Sequence, residues 1–471
     1  MKKLSFLLLS TLFIFFSCNK KSSDQLQTIA ASYFDTQTNI VGFGKISLGQ
    51  INDQSKVENI PLFGSMIKGE LGSIKACIDT DNYIYFGVEG TSQDDLSGTA
   101  FAKVKNIDSL NNYLKERGYA IEKKNNLNIA EEDELLLVFD NELMIIKGGK
   151  NQEKEAFIKS FKTIKEGKSN TNKHILTALQ KEAPIAIALF PDKAYNLNKD
   201  DELKSVMSGD LYNGILQCVD IQFLKGSIEL TNEFIGDKDK LAKLNFINPS
   251  KDSQAFKISG KDILTIALNV DFAKIEKENK KLFDFFFSKV DSEIAESDVL
   301  DSDKTKNEEI AEAIQKYTSK TNPLTSISNG IFFLTADANK ENEQNPHIKF
   351  YLGSSNAELK NYLRDLIKSW DKLAQITITK NTIEGTVYKS PETINYTENS
   401  GASDNVFKLY IDMGYVTSIF EKTDKNTARF TRPLKNIDIY SKGNVSKLII
   451  HTMDPNTNAL EYLVKEYTQM N

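Results

Sequence analysis

The chain has 471 residues, of which 40% are hydrophobic and 26% are charged, as is typical of globular proteins with buried cores. This length is enough for two or three domains. Acidic residues (65) outnumber basic ones (59), and the net charge of −6 excludes a basic field for a nucleic acid. Only four of the basic residues are arginines, which argues against dedicated clamps for phosphate or carboxylate groups.

The first 18 residues have the pattern of an export signal. Lys2 and Lys3 precede an apolar run over residues 7–16, which ends in a serine and then Cys18. A permanent membrane helix needs ~20 apolar residues, so this run is too short to be one. A cysteine after a small residue resembles the lipobox of bacterial lipoproteins, in which signal peptidase II cuts before the cysteine and the cysteine is acylated.

The resemblance implies a signal peptide over residues 1–17, lipidation of Cys18 and a polar tether over residues 18–27. The alternative is an export signal that is cleaved without lipidation. In the sorting rule of such lipoproteins, an aspartate after the cysteine favours the inner membrane, but Asn19 stands there. We therefore expect the periplasmic side of the outer membrane. The cell surface is the alternative destination, although the basic pair Lys20–Lys21 does not fit the acidic tether signal used for surface export.

Strands that run into a polar turn and then an amphipathic helix recur along the chain. The strand–helix pairs are Thr99–Val104 with Leu110–Arg117, Ser227–Phe234 with Lys240–Leu244, His347–Leu352 with Glu358–Trp370, and Ser446–His451 with Ala459–Tyr467. Strand pairs with Asx-rich turns also recur. These hairpins are Ile74–Asp79 with Tyr83–Glu89, Glu134–Phe139 with Glu142–Lys147, and Gln375–Thr379 with Thr382–Tyr388. The pattern predicts an α+β fold whose antiparallel sheets consist of repeated strand–hairpin–helix units.

The middle of the chain has a different sequence pattern, which predicts helices without strands. A long helix is predicted over residues 271–289 and another over 308–317, with a polar, acidic interval between them. We therefore expect an N-terminal α+β region over residues 28–252, a helical subdomain over 253–322 and a C-terminal α+β domain over 323–471. The helical subdomain would join two sheet-containing halves.

The remaining cysteines, Cys77 and Cys218, each lie in a short apolar stretch that reads as a strand. We interpret them as two separate buried thiols. The predicted compartment also permits a disulfide, and a bond between these two cysteines is the alternative.

The strongest candidate for ligand binding is the aromatic run over residues 283–287. Phe283, Phe286 and Phe287 share one face of the predicted helix. Packing in a core is one interpretation of this face, and a groove for an apolar ligand or partner is the other.

The sequence contains no His-Glu-x-x-His motif, no Gly-x-Ser-x-Gly elbow and no Walker loop. The three histidines, His174, His347 and His451, are far apart along the chain. The sequence therefore favours a protein without a cofactor or metal and leans towards a non-catalytic role.

Several of these features together resemble a family of large Bacteroidota lipoproteins that is defined only as a domain of unknown function. They are the export signal ending at Cys18, the strand pair over residues 78–90, the strand and helix over 98–114, and the hairpin over 134–148. The resemblance implies no activity.

Three functions fit these observations. The first is a membrane-anchored periplasmic lipoprotein that binds another envelope protein or an apolar ligand without catalysis. The second is a hydrolase of glycans or peptides with an active site dispersed along the chain, and the third is a structural envelope protein. The predicted partners are the membrane, through the N-terminal lipid, and an envelope protein, but no nucleic acid.

Overall fold

The computed structural model describes residues 24–60, 63–149, 154–167, 171–197, 212–248, 256–259, 261–278, 322–338, 346–388, 397–398 and 405–469. These residues form fourteen α-helices and twenty strands, and the strands pair antiparallel, so the predicted α+β class with antiparallel sheets is confirmed. They divide into two compact units. Unit 1 contains the described residues up to Asp237 and from His451 onwards, and unit 2 contains those from Lys238 to Ile450.

The elements of unit 1 follow one another in the order α1 (Asp24–Thr36), β1 (Ile40–Ile46), α2 (Leu48–Ser55), α3 (Phe63–Cys77), β2 (Ile84–Glu89), β3 (Ser97–Lys103), α4 (Ile107–Glu116), β4 (Ala120–Lys124), β5 (Leu127–Glu132), β6 (Leu135–Phe139), β7 (Leu143–Gly148), α5 (Lys154–Glu166), α6 (Lys173–Leu179), β8 (Ile185–Leu189), α7 (Pro191–Asn196), β9 (Leu216–Leu224) and β10 (Ser227–Ile235).

The elements of unit 2 are α8 (Lys238–Lys243), β11 (Lys257–Ile258), β12 (Asp262–Asn269), α9 (Phe272–Glu278), α10 (Pro323–Ile327), β13 (Ile331–Asp337), β14 (His347–Gly353), α11 (Ala357–Trp370), β15 (Gln375–Ile378), β16 (Thr382–Val387), β17 (Thr397–Glu398), β18 (Phe407–Asp412), α12 (Met413–Thr423), α13 (Lys425–Thr431), β19 (Leu434–Lys442) and β20 (Val445–Thr452). The last two residues of β20 and the C-terminal helix α14 (Ala459–Gln469) belong to unit 1.

The sheet of unit 1 has the strand order β4-β5-β6-β7-β3-β2-β1-β8-β9-β10. Helices cover both of its faces. On one face, α1, α5 and α6 enclose a core that includes Phe34, Phe43 and Phe101. On the other face, α2, α3, α4 and α14 contribute apolar side chains such as Leu110 and Leu460 to a second core. The burial of apolar surface on both faces is the main stabilising contribution to this unit.

Helix α1 is fixed to this sheet by a buried polar network. The Tyr33 hydroxyl donates to Glu89 Oε1 at 3.0 Å, and Lys147 Nζ donates to the Tyr33 hydroxyl oxygen at 3.2 Å. Burial, together with the charge of Glu89, raises the pKa of Tyr33 well above its ordinary value. Tyr33 therefore stays protonated near neutral pH and can donate this hydrogen bond.

The position of α1 shortens the predicted tether of residues 18–27. The helix already begins at Asp24, and Leu26 in its first turn is buried against the sheet. At ~3.5 Å per residue, the six steps from Cys18 to Asp24 span at most about 20 Å. Asp24 would thus lie close to the predicted lipid. Among the helices of the described part, none is long and apolar enough to cross a bilayer.

The sheet of unit 2 has the strand order β15-β16-β14-β13-β12-β18-β19-β20. A separate two-stranded sheet pairs β11 with β17. On one face of the large sheet, Ile367 of α11 packs with Phe350 and Ile383. On the other face, the rings of Phe256 and Phe333 meet edge to face, with 5.6 Å between their centroids.

The helical subdomain predicted over residues 253–322 is wrong for the part that the structure describes. Asp262–Asn269 forms β12, which pairs with β13 on one side and β18 on the other. Burial alternates residue by residue along this strand, as expected where the two faces of a sheet meet different surroundings. The helix predicted over 271–289 is described only as α9, and residues 279–321 lie outside the described residues.

Two of the three predicted hairpins are present, as β6–β7 and β15–β16. The third is not, because residues 74–77 are the last turn of α3, and β2 pairs with β1 and β3 instead. The predicted repetition of strand–hairpin–helix units is therefore not confirmed.

Candidate functional site

Most of the site residues predicted from the sequence lie outside the described residues. This holds for the lipidation site Cys18 and for the aromatic residues Phe283, Phe286 and Phe287. Their roles stay predictions.

The two other cysteines are described, and both are buried free thiols. Cys77 lies at the end of α3, not in a strand, and its thiol donates to the Ser73 carbonyl oxygen at 3.0 Å. Cys218 lies in β9 as predicted. Burial raises the pKa of each thiol to about 11, so both are protonated near neutral pH and are poor nucleophiles.

A polar cleft of about 420 Å³ lies in unit 2. It is located at the end of the sheet where β12 and β14 end and β13 and β16 begin. The lining residues are Asn248, Asp271, Phe272, Ala273, Thr325, Ser328, Asn329, Ser355 and Asn381. Most of them carry amide or hydroxyl groups, one is a carboxylate and one is aromatic. The cleft is thus nearly neutral and rich in hydrogen-bonding groups.

One wall of the cleft is fixed by Asn248, which is buried. Its side-chain amide donates to the carbonyl oxygens of Asn329 at 2.7 Å and Val270 at 3.3 Å. Its backbone N–H donates to the Asn269 carbonyl oxygen at 3.1 Å. Asn248 therefore ties the chain that follows α8 to the ends of two adjacent strands and holds this side of the cleft in place.

A second wall is formed by α9 and α10, which the buried carboxylate of Glu276 joins. Glu276 accepts from the Leu324 N–H at 2.5 Å and from the Thr325 hydroxyl at 2.8 Å. At the start of α9, Asp271 Oδ1 accepts from the Lys274 N–H at 3.0 Å, as a helix-capping residue does. Hydrogen bonds to a buried charge are among the stronger ones, so this wall is also rigid.

Two glycines lie next to lining residues of the cleft in the chain or in contact with them. A methyl group added at Gly330, whose φ is +87°, would overlap the Val270 carbonyl oxygen. One added at Gly353 would overlap the Asn329 side chain. The Ser328 hydroxyl donates to the Gly353 carbonyl oxygen at 2.7 Å across this close approach. At Gly330 glycine is needed, because the close atom belongs to the backbone of the neighbouring strand end and leaves no room for Cβ.

Several polar atoms of the lining make no hydrogen bond within the described part of the chain. They are Asp271 Oδ2, Asn329 Nδ2, Ser355 Oγ and the side-chain amide of Asn381. Together they offer both donors and acceptors to a ligand. A glycosidase needs two facing carboxylates about 5–10 Å apart. The described lining contains one carboxylate, that of Asp271.

No group of three or more histidine, cysteine, aspartate or glutamate side chains is placed to hold a metal ion among the described residues. The sequence interpretation missed the cleft because its residues come from six separate stretches of the chain. The available signal was weak: polar residues follow β12 and β14 within two positions, at Asp271 and at Ser354–Asn356. Such residues are common wherever a strand leads into a helix.

No model of a known protein family matches the chain, nor does any curated protein sequence. Three solved structures of TP0453 are similar to it at 9–10% sequence identity. Crystal form IV matches over 45% of this chain and 81% of that one, with a TM-score of 0.30. Form III matches over 78% and 95%, with a TM-score of 0.25, and form I over 78% and 94%, with a TM-score of 0.23. Similarities this weak carry no argument about function.

Proposed function

We propose that the chain is a lipid-anchored protein of the cell envelope that binds a small, neutral, polar ligand in the cleft of unit 2 and does not convert it. The observation that carries this proposal is the cleft itself. Its walls are fixed by Asn248 and Glu276, and its remaining hydrogen-bonding groups belong to residues that line an open volume. A preformed concave site with a few unsatisfied polar groups is the usual form of a small-molecule site.

The lining also supports a ligand class. Amide and hydroxyl groups pair with the hydroxyl and amide groups of a sugar, and the ring of Phe272 offers an apolar surface to the C–H groups of a sugar. Among the described residues that line the cleft there is no arginine or lysine, which argues against a phosphate or carboxylate ligand. We therefore propose an uncharged saccharide in place of the apolar ligand that the sequence suggested.

N-acetylglucosamine is a suitable probe because it has hydroxyl groups, an amide and no charge. We expect saturation-transfer NMR to detect its binding, with a dissociation constant of about 0.1–10 mM, as for a small fragment. Replacing Phe272 with alanine should weaken binding about tenfold, because the apolar surface facing the sugar is lost.

Phe430→Ala is the matched control, since Phe430 lies in unit 2 but outside the cleft lining. Equal loss of binding in both variants, or no binding by the unaltered chain, would contradict the proposed site. Cleavage of the β-1,4-linked disaccharide of the same sugar would contradict the non-catalytic role and favour a hydrolase.

The lipid anchor is tested by Cys18→Ala. The unaltered chain should incorporate labelled palmitate in its native host and partition into the detergent phase. The variant should lose both properties, because its acyl chains would have no attachment point. Palmitate labelling of the variant at the level of the unaltered chain would refute lipidation at Cys18.

We also propose that the predicted repetition exists at a larger scale, as two related units. What supports this is the shared strand order. Eight strands of unit 1 lie side by side in the order β6-β7-β3-β2-β1-β8-β9-β10. Eight strands of unit 2 lie side by side in the order β15-β16-β14-β13-β12-β18-β19-β20. Strands at equivalent places in the two orders also follow each other in the same sequence along the chain. The helices after β3 and β14 are capped alike, by Asn106 and Asn356.

A further inference from the structure

The apolar stripe of α11 extends beyond the sheet that it covers. Leu363 and Ile367 pack against the apolar face of the sheet. Trp370, one helical turn further on and on the same stripe, has 63% of its surface exposed. It is the only tryptophan of the chain. The packed part of the helix therefore ends before Trp370.

The turn after α11 presents a second apolar side chain, Leu373, with 85% exposure. This turn is held by several hydrogen bonds. Asp371 Oδ1 accepts from the Leu373 N–H at 2.9 Å, and Asp371 Oδ2 accepts from the Tyr388 N–H at 2.7 Å. Lys368 Nζ donates to the Ala374 carbonyl oxygen at 2.5 Å. The exposure of Leu373 is therefore built into a rigid turn.

The charges around these side chains favour a negatively charged surface. Lys368 and Lys372 are exposed on either side of Trp370, with Asp371 between them, and Arg364 pairs with Asp365. The local balance is positive in a chain whose net charge is −6. Tryptophan prefers the boundary between lipid headgroups and acyl chains, and lysine is attracted to anionic headgroups.

We infer that this tip, formed by Trp370 and Leu373 with Lys368 and Lys372 around them, inserts into the surface of a bilayer that contains anionic lipid. The inference rests on the lipid anchoring proposed above, which would keep the first helix within about 20 Å of the membrane. A stable protein partner usually buries ~800 Å² on each side, far more than two apolar side chains at a turn provide. A bilayer needs no such area, because each inserted side chain leaves water independently.

The single tryptophan makes the inference directly measurable. The mature chain with Cys18→Ser, which carries no acyl group, is mixed with vesicles of phosphatidylcholine containing phosphatidylglycerol. We expect the emission of Trp370 to shift to shorter wavelength and its quenching by acrylamide to fall. Vesicles of phosphatidylcholine alone should give a smaller change, because the attraction of the lysines is missing.

Leu373→Ser should lower the vesicle partition coefficient about tenfold, since one exposed leucine no longer enters the acyl region. Phe430→Ser is the matched control, because Phe430 is also 63% exposed in unit 2. It should leave partitioning unchanged.

An unshifted emission with anionic vesicles, or an equal loss in both variants, would overturn the inference. A blue shift that occurs without lipid as the protein is concentrated would also overturn it, in favour of a contact between two copies. Binding of N-acetylglucosamine is measured without vesicles, and palmitate labelling is measured in the host. A failure of this inference is therefore distinguishable from a failure of the proposed function.

Discussion

Replacing Gly330 with alanine is expected to lower the free energy of unfolding by about 3–5 kcal/mol, among the largest effects of a single substitution. Two costs combine. The φ of +87° is a conformation that alanine adopts only with strain, and the added methyl group would overlap the Val270 carbonyl oxygen. That oxygen cannot withdraw easily, because the Val270 N–H donates to the Gly330 carbonyl oxygen at 2.9 Å. Urea unfolding followed by circular dichroism measures the change.

Gly118→Ala is the control that separates the two costs. Gly118 has a φ of +88°, but a methyl group there would meet no atom within 4 Å. Only the strain applies, partly offset by the lower entropy of the unfolded chain, so the expected loss is about 1 kcal/mol. Equal losses at the two positions would show that the close approach of β12 and β13 at Gly330 contributes nothing.

The Gly330 substitution also bears on the cleft. Gly330 stands between Asn329, which lines the cleft, and Ile331, the first residue of β13. If the Gly330→Ala protein still folds at low temperature, it should bind N-acetylglucosamine more weakly than the Gly118→Ala protein. The stability of the fold and the binding of the ligand would then both depend on the backbone conformation at Gly330.

Local signals were sufficient to predict the elements whose partners are near in sequence. The helices predicted over Leu110–Arg117 and Glu358–Trp370 are present as α4 and α11, and each is capped by an asparagine of the polar turn before it, Asn106 or Asn356. The hairpins β6–β7 and β15–β16 were found because each turn lies between two apolar strands. Where such signals conflict, the tertiary structure decides. The short apolar stretch ending at Cys77 reads as a strand, yet Leu71, Ile74 and Cys77 have helical spacing and pack as one face of α3.

The cleft could not be predicted because no part of it is local. Asn248 and Asn381 are 133 positions apart, and they line one cleft only because the ends of β12, β13, β14 and β16 meet at one end of the sheet. Predicting it would have required the strand order. The sequence pattern places Asp262–Asn269 in a helical subdomain, so the strand order of this sheet does not follow from it.

A second substitution, at Lys45, is expected to raise the free energy of unfolding instead of lowering it. Lys45 lies in β1, its side chain is only 2% exposed, and its ammonium group lies over the ring of Tyr83, 3.8 Å from the centroid. Burial lowers the pKa of Lys45 to about 8, although Cys218, Glu182 and Asp220 act in the opposite direction. Lys45 therefore stays charged below pH 8 in the folded protein, but its burial makes the charge less favourable there than in the unfolded chain.

The sign of the pH dependence follows from the two pKa values. Lys45 has a pKa of about 8 in the folded state and 10.5 as its ordinary value. Between these pH values the unfolded chain binds more protons than the folded one, so the contribution of Lys45 to stability rises with pH. Below pH 8 the full penalty applies, which at 1.36 kcal/mol per pKa unit is about 3 kcal/mol.

Lys45→Met keeps most of the buried volume and removes the charge. The variant should be more stable than the unaltered chain by about 2 kcal/mol at pH 7, because the loss of the contact with Tyr83 offsets part of the gain. The difference should shrink steadily from pH 8 to pH 10.5. Urea unfolding at a series of pH values measures it.

Lys123→Met is the control, because Lys123 is an exposed lysine of β4 in the same sheet. It should change the stability by less than about 0.5 kcal/mol at any pH in this range. A Lys45→Met protein that is less stable than the unaltered chain at pH 7 would reverse the interpretation. The charge of Lys45 would then be stabilised by the Tyr83 ring and by Asp220 on β9 more strongly than its burial disfavours it, and the core of unit 1 would depend on a buried cation.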